Sequence, residues 1–127
     1  ITDAGYYMNL PDLDFIPGAA VMTRVISHPA KGVFTTDLGY KAIASDPAGQ
    51  RGYIVGLEDA VPIIHSEEHW AFRLEDESRI PAIGTCLYVI PTHICPTTAL
   101  YPEILVAKDG QVADRWQVTA RNRRITY

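Results

Sequence analysis

"EILVAKDGQVADRWQVTAR", residues 103 to 121, places Asp109-Gly110 between two runs of alternating apolar residues. An Asp-Gly pair flanked in this way is among the strongest short-range hairpin signals, because both central positions of a type I′ turn need positive φ. The same kind of reading extends upstream. "AAVMTRVISHPA", residues 19 to 30, is followed by Lys31-Gly32 and then "VFTTDLG", which predicts two strands joined by a short glycine turn. "GYIVGLEDAVPIIHSEEHWAFRL", residues 52 to 74, adds two candidate strands. "IGTCLYVIP" adds one that stops at Pro91, since proline cannot donate to a ladder. Helical periodicity is scarce, and only "YKAIASD", "ICPTTALYP" and "LEDESRIPA" can hold a helical turn. The expected fold class is mainly β: an antiparallel barrel or sandwich-like domain with few short helical turns.

At 127 residues the chain has the length of one domain. With 47% hydrophobic and 20% charged residues and a net charge of −4, it belongs with ordinary globular proteins that bury a core. No basic tract marks a nucleic-acid footprint, and the longest apolar runs fall short of the roughly 20 residues of a membrane-spanning helix, so neither nucleic acid nor membrane is expected as a partner. The opening "ITDAGYYMNL" has neither an initiator Met nor the build of a signal peptide, which suggests a piece of something longer. Cys86 and Cys95 do not make a disulfide framework. Their number leaves a single bridge open, with a reduced, cytoplasmic setting as the expected one.

In "PTHICP", residues 91 to 96, His93 and Cys95 stand two apart between prolines. On an extended segment both side chains would share a face, and imidazole with thiolate suits zinc or another late first-row ion with positions left open for water or substrate. The bland alternative is a buried thiol beside a hydrogen-bonded histidine. "HSEEHW", residues 65 to 70, does not have the spacing of the HExxH zinc helix. As a strand it would align His65, Glu67 and His69 on one face, either as a solvated strand end or with His69, paired with a carboxylate, as a proton-transfer group. Lys41 in "DLGYKAIASD" lacks the phosphate-cradling loop of a Schiff-base site and reads as a surface lysine. Tyr6 and Tyr7 read as packing residues.

Taken together, "DLGYKAIASD", "HSEEHW" and "GTCLYVIPTHICPTTALYPEILVAKDGQVADRWQVTARNR" resemble, from about Gly18 to Arg123, the C-terminal β-domain of the D-threonine aldolase and D-serine dehydratase family of alanine-racemase-type enzymes. The resemblance implies a parent with an N-terminal (β/α)8-type barrel that binds pyridoxal phosphate through its own lysine, and with this chain, residues 1–127, as the domain that closes the active site. It implies a divalent metal, zinc or manganese, on His93 and Cys95. The cysteine leans towards the dehydratase-like members, since aldolases can have aspartate there. Glu68 and His69 match the family's Glu-His element, with Trp70 where glycine is usual, and are the expected catalytic pair. The implied parent is a lyase acting on small D-β-hydroxy amino acids, as a homodimer, and the isolated fragment would be inactive. A racemase of the same fold type and a non-catalytic β ligand-binding or interaction domain are the alternatives. Loss of the barrel would expose an apolar face and promote self-association.

Overall fold

The computed structural model describes residues 1–46 and 48–126. Six strands form one sheet: β1 (Val21–Ala30), β2 (Val33–Thr36), β3 (Gly52–Ile54), β4 (Val61–His65), β5 (Trp70–Arg73) and β6 (Cys86–Pro91). Their order is β3-β6-β1-β2-β5-β4, with every neighbouring pair antiparallel. The sheet curls into a half-barrel whose two outer strands are β3 and β4. Burial alternates along β1, with Val21, Thr23 and Val25 inward and Met22, Arg24 and Ile26 outward, as expected of a sheet with one dry face. Phe34 and Phe72, opposite one another on β2 and β5, stack at 5.5 Å, and Trp70 leans on Phe72 at 4.6 Å. Val25, Leu38, Ile43, Leu74 and Val89 complete the core around them.

The expected strands are present, and residues 52–74 hold three rather than two. Two turns, at residues 55–60 and 66–69, cut the run into three; Pro62 sits in an outer strand, where a missing N–H is tolerated, and the pairing slips between Pro62 and Ile64. β6 ends at Pro91 as anticipated. β7 (Glu103–Lys108) and β8 (Gln111–Gln117) form the Asp109-Gly110 hairpin, with φ of 52° and 75° at the turn. It stands as a separate two-stranded sheet in which every residue of β8 is exposed, Val112 and Trp116 included.

Two helices flank the half-barrel. α2 (Ile94–Thr98) lies where a helical turn was expected, because Pro96 occupies the first turn, where an N–H would go unused. α1 (Ala4–Asn9) was not foreseen. Gly5 and two tyrosines are poor helix formers, and the stabilising element is the Asp3 side chain, which accepts from Tyr6 N at 3.0 Å. Tyr6 and Tyr7 are not packing residues in the sense anticipated: both are more than half exposed, Tyr6 meeting only the edge of Phe15 at 5.9 Å among aromatic rings. Residues 77–79 form a 3-10 turn, whereas "YKAIASD" makes only a tight turn closed by Ile43 N donating to Gly39 O.

Candidate active site

His93 is the last extended residue after β6 and the N-cap position of α2, yet its side chain caps nothing. Asp3 does so instead. Its Oδ2 accepts from Ile94 N at 2.8 Å, 91 residues away, while Oδ1 caps α1, so one carboxylate, only 1% exposed, serves two helix starts. The imidazole of His93 is thereby released and remains accessible, with Nδ1 3.4 Å from Asp46 Oδ2. Asp46 is delivered by residues 42–46, which are fastened to α2 and its exit: Ala44 N donates to Thr97 Oγ1 at 3.2 Å, and Tyr101 Oη donates to Ala42 O at 2.7 Å. Thr97 in turn donates to His93 O at 2.8 Å, which fixes the backbone that carries the imidazole. A cleft of about 390 Å³ opens beside His93, lined by Asp3, Tyr6, Asn9 and Thr92.

Cys95 does not share an extended face with His93, as the spacing alone predicted. It lies in the first turn of α2, with its thiol exposed, because the helix starts at Ile94. Both cysteines are free thiols, so no Cys86–Cys95 bridge forms. Among the described residues no three His, Cys, Asp or Glu side chains converge tightly enough to enclose a metal ion. The donor types fit a divalent ion all the same: an accessible imidazole, an accessible thiol one residue beyond the helix start and a carboxylate beside the imidazole. Lys41, the lysine considered for a Schiff base, is exposed and paired on both sides, at 2.6 Å to Glu68 and 3.0 Å to Glu67.

Residues 66–69 are a hairpin turn between β4 and β5, so His65, Glu67 and His69 do not line one face of a strand. Ser66 N donates to His69 O at 2.8 Å, and His69 N donates to Ser66 Oγ at 3.2 Å. The turn is pressed on residues 39–41: Tyr40 N donates to Ser66 O and Lys41 N to Glu67 O. Gly39 is required there, since a Cβ would overlap the Glu67 carbonyl and the Glu68 amide. The Lys41 hydrogen bond, then its charge, holds the Glu68 carboxyl below the usual carboxylate range, and the two glutamates raise the Lys41 ammonium. Glu68 is therefore an ionised anchor of the turn, and His69 is exposed beside it. "DLGYKAIASD" is thus a bracket whose first half seats the Glu68-His69 turn and whose second half seats α2 and His93.

The family described as "Putative serine dehydratase domain" matches residues 18–107, a span that holds the bracket, the turn and the His93–Cys95 pair. The chain belongs to this family. Among members of the serine dehydratase domain family and their relatives, a D-threonine aldolase of an Arthrobacter species is 31% identical over 80% of this chain, which covers 26% of that enzyme. An uncharacterized protein of Mycobacterium tuberculosis is 33% identical over 88% of the chain and is covered to 86%. The crystal structure of D-threonine aldolase from Filomicrobium marinum superposes with a TM-score of 0.85 at 26% identity, over 95% of this chain and 33% of the enzyme. The chain therefore spans about a third or less of these aldolases but most of the mycobacterial protein. Sequence reasoning did not reach Asp3, Asp46 or Thr97. For Asp46 a signal exists in the bracket, which ends in a carboxylate; for Asp3 and Thr97 the contacts are long-range and leave no local pattern.

Proposed function

We propose that the chain acts as the C-terminal β-domain of a two-domain, metal- and pyridoxal-phosphate-dependent lyase for D-β-hydroxy amino acids, of D-threonine aldolase or D-serine dehydratase type. The observation that carries this is the release of the His93 imidazole by Asp3, which leaves it open beside a cleft with Asp46 behind it and Cys95 in the next turn. His93 and Cys95 would hold a zinc or manganese ion, and the cofactor would come from a barrel domain. When bound, the ion would supply a Lewis acid at the substrate β-hydroxyl, and the cofactor an electron sink.

The residues of this chain divide the remaining work. Asp46 fixes the rotation of His93. His69 accepts the β-hydroxyl proton in cleavage, and Glu68, kept ionised by Lys41, anchors the turn that carries it. The domain closes the site against water, within a cytoplasmic homodimer in which both thiols stay reduced. The test joins this chain to a D-threonine aldolase barrel and supplies D-threonine and D-serine, with and without chelator. Glycine plus aldehyde, or pyruvate, lost on chelation, supports the reading. Chelator-insensitive turnover refutes the metal role, and interconversion of enantiomers identifies a racemase.

One observation favours a second reading, a ligand-binding module without a barrel: the mycobacterial relative is matched over 86% of its own length, so single-domain relatives of this size exist. On that reading the joined protein turns nothing over while the chain alone still binds a metal ion.

A further inference from the structure

The half-barrel does not close by pairing of its outer strands β3 and β4, and a cavity of about 150 Å³ lies between β4 and residues 49–51, which lead into β3. A single water needs only about 10–15 Å³ of such space, so the seam has room for a small molecule. Arg51, just before β3, and His65, the last residue of β4, line it from opposite sides, with Pro62, Ile64 and Trp70 as apolar walls. Arg51 Nη1 and both ring nitrogens of His65 are shielded from solvent and have no hydrogen-bond partner among the described residues. This departs from the rule that buried polar atoms are paired, and it does so three times in one seam.

Neither side chain is placed loosely. The His65 ring lies on Trp70 at 4.5 Å and 29°, with Tyr40 edge-on at 5.7 Å. The backbone of Arg51 is tied down by Thr92, whose N donates to Arg51 O at 2.8 Å and whose Oγ1 donates to Gln50 O at 2.7 Å. Among the described residues no carboxylate lines the cavity. Burial, and then the Arg51 charge, lower the pKa of His65 against a weaker opposing pull from the Leu38 backbone, whose contact falls short of a well-formed hydrogen bond, so the imidazole next to the guanidinium is neutral at pH 7.

We propose that the seam is a binding site for a small monocarboxylate, held by Arg51 Nη1 and the His65 N–H between Pro62, Ile64 and Trp70. A flat carboxylate matches the guanidinium fork and a slot with apolar walls, whereas one cation and one neutral donor are too few for a phosphate dianion. The site is independent of His93 and Cys95, and its test needs no metal.

The test titrates acetate into the 127-residue chain at constant pH and ionic strength and follows the His65 ring nitrogens by long-range proton–nitrogen NMR, with chloride and inorganic phosphate as parallel arms. Acetate should move the His65 resonances saturably, chloride should not, and phosphate should bind about tenfold more weakly or worse. Arg51→Met should weaken acetate about tenfold, the loss of a hydrogen bond to a charged group. If Arg51→Met does not fold, Arg51→Lys, which keeps the charge without the fork, should weaken binding several-fold. A linear shift equal to that with chloride, an affinity unchanged in the folded variant, or phosphate binding as tightly as acetate would overturn the proposal.

Discussion

Replacing Asp3 by alanine should be far more damaging than its place three residues from the start of the chain suggests. The carboxylate is buried and accepts two backbone N–H bonds, from Tyr6 at 3.0 Å and Ile94 at 2.8 Å. Loss of the α1 cap costs about 1 kcal/mol. The Ile94 N–H, buried against a methyl group, adds about 1–3 kcal/mol for an unpaired donor. The expected loss is therefore about 2–4 kcal/mol, measured by urea denaturation at pH 7 with the slope unchanged. Asp3→Asn keeps one acceptor oxygen and should lose about half as much. The amide resonances of residues 93–97 should move in both variants, because Asp3 substitutes for the cap that His93 does not provide. A loss below about 0.5 kcal/mol for Asp3→Ala, the range of ordinary surface substitutions, would refute the double-cap account.

Asp46→Asn should leave stability unchanged and weaken cobalt or zinc binding by about 10–100-fold in calorimetry, the usual effect of removing the outer partner of a ligating histidine. Gly39→Ala must displace the Glu67-Glu68 backbone, and overpacking of this kind costs about 1–3 kcal/mol in urea denaturation, with the largest amide shifts at residues 66–69. His65 is the acid-sensitive group: its folded pKa lies below the unfolded value of 6.5, through burial first and Arg51 second. The unfolded chain binds the extra proton, so the His65 contribution is intact above 6.5 and is lost as pH falls through the folded value. Urea midpoints between pH 8 and pH 5 should therefore drop less in His65→Phe than in the wild type; parallel curves would contradict this.

The pattern that announced a β-fold most clearly, the alternation around Asp109-Gly110, belongs to the hairpin that contributes least to the core. Turn chemistry is local and reads well from sequence, whereas β7 and β8 alternate without a buried face to explain it. The central sheet was legible through Val21, Thr23, Val25 and the stop at Pro91, and less so where Pro62 slips the β4 pairing. At the candidate site, residue type and resemblance single out His93, Cys95, Glu68 and His69, but the extended geometry expected of them is not what the fold provides. Pro96 in a first helical turn and the Ser66–His69 closure bend both segments. Asp3 reaches Ile94 across 91 residues of sequence and Asp46 reaches His93 across 47, separations at which no periodicity operates.

The central claim, that His93 and Cys95 together hold a divalent ion, is tested most directly by titrating cobalt(II) into the chain and into His93→Ala and Cys95→Ser. The wild type should show saturable binding with a thiolate-to-cobalt charge-transfer band that fades as pH falls and the ligands protonate. Both variants should lose the band. A wild type without the band, or variants that keep it at the same affinity, would contradict the account.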